Sequence, residues 1–214
     1  MSTVDPLSQP EEGLRARKRR ELRARLVAIA GRRFTEQGYD TTNMREIAEE
    51  AGVAYQTLYN HFPNKARLAF AWLVDLMDGV TAEADALRAR PAGDPVNAIV
   101  TAAEHYVGFV AGLDRRLWRE ATSEYLHAPE ETSELNLLKL LGPHAQLVNL
   151  LEAERDAGAL RPDADLETLA DVVFVLIDHA VLRFVVLDEL TLEATLAGLK
   201  DQLELVLRPQ LAAR

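Results

Sequence analysis

Residues 42–65, TNMREIAEEAGVAYQTLYNHFPNK, constrain this chain more than any other segment. They read as two short helices joined by a tight turn, with the second helix aimed outward. Ala48 is small where two helices must approach closely, and Gly52 sits in the turn, where a positive φ is cheap only for glycine. Ile47, Val53 and Leu58 fall on the inward face and lock the pair. This is the pattern of a helix-turn-helix, whose second helix lies in the DNA major groove. The expected partner is double-stranded DNA.

The flanking sequence completes a three-helix head. Residues 1–13 are polar, contain Pro6, Pro10 and Gly13, and are expected to be disordered. A first helix is expected to start between Leu14 and Glu21 and run to Gln37 on an apolar stripe of Leu22, Leu26, Ile29, Ala30 and Phe34. Gly38 then ends it. Thr42 or Asn43 caps the next helix, and Asn43 with Glu46 has capping-box spacing. The recognition helix is expected over 54–60. Pro63 blocks its continuation and Asn64 can cap a long connecting helix over 65–88, which carries Leu68, Trp72, Leu76 and Val80.

Pro91, Gly93 and Pro95 mark a break, after which helices are expected over 94–113, 115–127, 133–157, 165–188 and 191–207. Pro129, Gly158 and Pro162 fall in the gaps. No segment alternates with a period of two, so no sheet is expected. The expected fold is all-α: a helix-turn-helix domain at 14–64, then a helical-bundle ligand-binding and dimerisation domain at 65–214 that includes the connecting helix.

The formal net charge of −10 sits badly with a DNA partner until its distribution is read. Residues 1–67 carry 12 Lys/Arg against 9 Asp/Glu, whereas the remainder carries 12 against 25. Between Leu14 and Thr35 nine basic residues face a single Glu. A cationic head is thus joined to an acidic body, and the local field is what a phosphate meets.

The stretch from Phe34 to Leu68 resembles the TetR-type family of bacterial transcriptional regulators. The shared features are Phe34, Gly38, Thr42, Ile47, Ala48, Ala51–Gly52–Val53, Thr57–Leu58–Tyr59, His61–Phe62 and Lys65. A weaker likeness, over 158–173, is to the entry of the family's long penultimate helix. The resemblance implies that Thr42, Tyr59 and His61 reach phosphates. It also implies a homodimeric regulator, a repressor released from its operator by a small-molecule effector. This chain departs from the family in having Ala54 where a serine or threonine is common, which removes a helix cap.

The residues' own chemistry agrees with a DNA role. Lys65 lies at a helix start, where free N–H groups already favour a phosphate. Tyr55, Gln56 and Thr57 lie near the end of the recognition helix that meets base edges. Gln56 can pair with adenine at two points, and Thr57 can hydrogen-bond or touch a thymine methyl. Arg45 can meet a phosphate or a base. Arg17, Arg19 and Arg20 belong to a run that is either a solvated arm or an arm reaching the minor groove. Phe62 reads as core. Tyr59 is open to the same reading, His61 to that of a plain surface histidine, and Thr57 to that of a cap.

The acidic body has two expected tasks under the resemblance. An effector pocket is expected from His105, Tyr106, Phe109, Trp118, Tyr125, Leu147, Leu151, Phe174 and Asp178, apolar groups with a few polar ones, which suits a small hydrophobic ligand. Aromatic residues at helical spacing also suit a plain core. A dimer interface is expected from Val172, Val175, His179 and Arg183 on one helix, and from Leu196, Leu199 and Leu203 on the last. A two-fold dimer would call for a near-palindromic operator. The connecting helix over 65–88 would carry the coupling between effector and DNA.

Other classes find little support. Without cysteine there is no disulfide or thiolate chemistry. No stretch approaches the roughly 20 apolar residues of a membrane span, and the N-terminus has no apolar signal core, so a cytoplasmic address with no membrane partner is expected. No GxSxG, GxxxxGK[ST], HExxH or GxGxxG motif is present. Glu124 and His127 form one ExxH, where a di-iron bundle needs two. No enzyme activity, metal or cofactor is expected. A constitutive DNA-binding dimer without an effector remains the alternative.

Overall fold

The computed structural model describes residues 13–87, 94–127 and 144–212, with backbone alone for 78–87, Tyr125, Leu126 and Ala145. The expected tail at 1–13, apart from Gly13, and the first part of the helix expected over 133–157 lie outside the described residues. Those described form an all-helical chain: α1 (Leu14–Gln37), α2 (Met44–Glu50), α3 (Tyr55–His61), α4 (Lys65–Leu87), α5 (Pro95–Ala111), α6 (Arg115–His127), α7 (His144–Asp156), α8 (Leu166–Val186) and α9 (Leu192–Leu207), ending in a 3-10 turn at Arg208–Gln210.

Local chemistry explains most boundaries. Gly38 ends α1 at φ +85°. Asn64 caps α4, its Oδ1 accepting from Arg67 N at 2.7 Å. Asp94, Asp165 and Thr191 cap α5, α8 and α9 in the same way. Gly158, at φ +77°, turns the chain out of α7.

α1 packs on α4 across Gly31, where a Cβ would lie 2.0 Å from the Trp72 indole nitrogen. Glycine lets that ring reach Phe34, at 5.9 Å between centroids. α4 also packs on α6, and α6 on α8. In the body, α8 lies against α5, α6, α7 and α9, which accounts for its being apolar almost all round. One feature escaped the periodicity: Leu160 and Leu211 form a single antiparallel bridge, with Arg161 N donating to Gln210 O at 2.9 Å and Ala212 N to Ala159 O at 3.0 Å.

Candidate nucleic-acid interface

The head is built as the spacing predicts. Gly52 takes φ +66° in the turn between α2 and α3. Ile47, Ala48 and Leu58 are buried there, and Val53 packs against them half-buried. Asn43 caps α2, its Oδ1 accepting from Arg45 N at 2.9 Å. Glu46 does not close a capping box. Its carboxylate lies 2.5 Å from Arg33 Nη1, while Arg32 and Arg33 both pair with Glu50. These ion pairs fasten α1 to α2 and engage two of the nine basic residues of the N-terminal run.

Ala54 sits at the N-cap of α3 with extended backbone and no side-chain cap. Ala54→Ser is expected to raise stability by about 0.5–2 kcal/mol, the usual value of such a cap. Urea unfolding of the two proteins checks it, and equal midpoints would show that the turn cannot present a serine hydroxyl to the helix.

Four side chains of α3 face solvent in two parallel rows. Tyr55 and Tyr59 are 43% and 46% exposed, with ring centroids 6.5 Å apart, so Tyr59 is not a core aromatic. Gln56 and Asn60 form the second row, Gln56 Nε2 donating to Asn60 Oδ1 at 3.0 Å. Arg45 reaches over from α2 to place its guanidinium 5.7 Å from the Tyr55 ring centre. Thr57 and His61 are half-buried at the edge of this surface, while Phe62 is fully buried. Burial holds the His61 pKa below its usual value, with Arg19 and then Arg23 adding to the effect. The two arginines thus bring the basic turn of α1 beside the end of α3.

That basic run is helix, not an arm: Arg17, Arg19 and Arg20 lie exposed on the first turns of α1. Arg17 makes an i,i+4 pair with Glu21 at 3.4 Å. Arg23 stacks on Phe62, 4.4 Å from its centroid. With Arg20, Val27, Phe70, Val74 and Asp75 it borders a cleft of about 320 Å³ between α1 and α4.

Two residues read as phosphate contacts are differently engaged. Thr42 is only 3% exposed, and its hydroxyl donates to Gly38 O at 2.8 Å and accepts from Gln37 Nε2 at 3.4 Å. It braces the turn after α1 and faces inward. Lys65 Nζ lies 2.6, 3.3 and 3.1 Å from the carbonyl oxygens of Tyr39, Asp40 and Thr42, and 4.3 Å from the centre of the Tyr39 ring. An ammonium has three donors, and all three are satisfied. Lys65 is a clamp closing the α1–α2 loop onto the start of α4, although desolvation lowers its pKa.

In the body, Trp118, Tyr106, Leu147 and Leu151 are buried, and Phe109, Phe174 and Asp178 half-buried. The Tyr125 side chain lies outside the described residues. His105 corrects the sequence reading: it is exposed on the outer side of α5 and cannot line an interior site. Burial raises the pKa of Asp178, opposed by His179, and burial then Asp178 raises that of Tyr106. The Trp118 Nε1–H is buried without an acceptor among the described residues.

On α8, Val172, Val175, Leu182 and Val186 form an exposed apolar stripe, with exposed His179 and Arg183 along it. The α9 residues offered for the same interface are corrected. Leu199 and Leu203 are buried in their own subunit's core and Leu196 packs partly against it. The outer face of α9 instead shows Ala194, Ala197, Gly198, Asp201, Gln202 and Leu205.

Sequence reasoning missed the linkages made by α6. Towards the head, Asp114 Oδ2 accepts from Tyr39 N at 3.3 Å, Arg116 pairs with Asp40 at 3.0 Å, and Glu124 accepts from Asn64 and Arg67 at 3.1 and 3.2 Å. Towards the body, Arg115 donates to the carbonyls of Leu187 and Leu190 at 2.8 and 2.7 Å, and Arg119 to that of Val185 at 2.7 Å. The i,i+4 spacing of Arg115 and Arg119 was visible, but their acceptors, backbone carbonyls and the Asp188 carboxylate, lie some seventy residues away.

The described residues thus build a helix-turn-helix head with a basic flank, carried on an all-helical body. Residues 26–72 match the model of the family described as bacterial regulatory proteins, tetR family. The HTH-type transcriptional regulator TcmR of Streptomyces glaucescens is 35% identical over 99 residues, 46% of this chain and 42% of that protein. The HTH-type transcriptional repressor KstR of Mycolicibacterium smegmatis is 37% identical over 93 residues, 44% of each. Over residues 26–72 the chain is thus similar to the tetR family. These matches span less than half the length of the curated relatives. The fold extends further: a TetR-family regulator from Pectobacterium atrosepticum aligns over 92% of this chain and 97% of its own, with TM-score 0.68 and 21% identity. Thermus thermophilus FadR, solved with lauroyl-CoA, aligns over 87% and 91% with TM-score 0.60 and 23% identity.

Proposed function

We propose that the chain is a sequence-specific transcriptional regulator that binds a near-palindromic operator as a homodimer and is released from it by a small hydrophobic effector. Residues 14–64 serve as the reading head and 65–214 as the regulatory body. The observation that carries the reading is the solvent-facing surface of α3, with Tyr55, Gln56, Tyr59 and Asn60 outward, Arg45 stacked beside it and the basic turns of α1 next to it. Arg17, Arg19, Arg20, Tyr59 and His61 are assigned to phosphates, and Arg45, Tyr55, Gln56 and Thr57 to base edges. Selection of bound duplexes from a random library at physiological salt tests it. Enrichment of a two-fold symmetric sequence is the expected result, and binding that merely fades with salt without enriching any sequence would overturn it.

His61 offers a test of register. Its pKa is depressed before DNA arrives. A phosphate beside it favours the charged form, so binding takes up a proton. Affinity is therefore expected to rise as pH falls from 8 to 6 in the natural protein and to stay flatter in His61→Gln. Identical pH profiles would remove His61 from the phosphate contacts.

The exposed stripe on α8 supports the dimer, since a second copy would remove Val172, Val175, Leu182 and Val186 from water. The effector reading draws support from the orphaned Trp118 donor, which a ligand acceptor would satisfy, and from the lauroyl-CoA bound by the structurally similar FadR. α6, joined to the head and to the end of α8, carries the coupling together with α4. DNA and effector then weaken each other's binding by the same factor. No single helix among the described residues is long and apolar enough to cross a membrane, and a cytoplasmic location is part of this proposal.

A further inference from the structure

We propose that Asn60 is a positioning residue that holds the Gln56 amide ready to read one adenine per half-site; the inference rests on α3 being the DNA-reading helix. Gln56 and Asn60 are one turn apart on its outer face, both exposed, and joined by the 3.0 Å bond from Gln56 Nε2 to Asn60 Oδ1. A primary amide has two N–H donors and a carbonyl. Asn60 takes one donor. The other N–H and the carbonyl oxygen remain available as an acceptor–donor pair. Adenine in the major groove presents the complement, with its N6 amino group donating and N7 accepting.

The reading is given to Gln56 because it lies nearer the N-terminal end of α3, the end that meets base edges. Asn60 spends one lone pair of its carbonyl on Gln56 and stands a turn further along the helix. An unsupported glutamine on a helix surface samples several rotamers and must surrender that freedom on binding. Asn60 removes much of that freedom beforehand. The Tyr55 and Tyr59 rings, 6.5 Å apart between centroids, stand in the neighbouring row of the same helix.

The test compares the natural full chain with Gln56→Ala, Asn60→Ala and Asn60→Asp in random-duplex selection. It continues with the enriched duplex carrying 7-deazaadenine, which lacks N7 but keeps N6. Expected for the natural chain is an adenine at one position of each half-site, favoured roughly 5–150-fold, and weaker binding to the 7-deaza duplex. Gln56→Ala should lose both effects. Asn60→Ala should lose about tenfold of the preference at that position alone, the equivalent of letting one glutamine side chain move freely. Asn60→Asp keeps the acceptor, so it should retain the preference while its charge weakens binding to every duplex. Both residues are exposed, and thermal unfolding confirms that the variants fold. If Asn60→Ala keeps the full adenine preference, or flattens a different position from Gln56→Ala, the proposal is overturned while the DNA-reading role of α3 stands. If the natural chain enriches no sequence, that role fails and the proposal with it.

Discussion

Lys65→Met is expected to destabilise the chain by about 2–3 kcal/mol while leaving the salt dependence of DNA binding unchanged. Methionine keeps the length and apolar stem of the side chain, so the substitution isolates the ammonium. That group donates to three carbonyls of the α1–α2 loop and lies over the Tyr39 ring. Hydrogen bonds to a charged donor contribute about 1.5–3 kcal/mol each. The partial exposure of the group and the cost of desolvating it, visible in its lowered pKa, reduce that sum. Urea unfolding measures the stability, and binding titrations across a salt series measure the slope. The opposite pattern, unchanged stability with a slope reduced by about 0.9, would return Lys65 to a phosphate and show that the clamp opens on DNA.

Val175→Asp is expected to raise the dimer dissociation constant at least about 100-fold, with little effect on the folding of the single subunit. Val175 is 61% exposed in the subunit, so a carboxylate there stays hydrated and the fold loses little. At a two-fold interface the same substitution enters twice, and an unpaired charge taken from water is strongly unfavourable. Sedimentation equilibrium reads the association. DNA binding should fall on a full operator and hold on an isolated half-site. An unaltered dimer would place the interface elsewhere. Leu203→Asp gives the contrast: Leu203 is fully buried in its own subunit, so that variant should unfold the chain rather than dissociate it.

The two variants divide along what the chain reveals at each level. The head was legible because its determinants are local. Gly38 and Gly52 take the positive φ their positions demand, Asn43 and Asn64 cap the helices that follow them, Leu58 is buried on the inward face of α3, and Phe62 is buried just past its end. Each of these depends on a few adjacent residues and on helix geometry. The missing cap at Ala54 was legible for the same reason.

Lys65 shows where local reasoning stops. A cation at a helix start reads as a phosphate ligand, yet its acceptors are carbonyls 23 to 26 residues earlier in the chain, and backbone acceptors carry no residue signature. Thr42 likewise was read as a phosphate contact, whereas its hydroxyl is taken up by the turn it braces.

In the body the sequence by itself determined that helices form and, among the described residues, that breaks fall near 112–114, 157–165 and 187–191. Helical periodicity marks a buried face without naming what buries it. Only the tertiary structure decided that Leu199 and Leu203 belong to the subunit's own core, that Val172 and Val175 are left outside, and that Arg115 and Arg119 tie α6 to the end of α8. Those outcomes depend on which helices become neighbours, a choice set by how all the faces pack together.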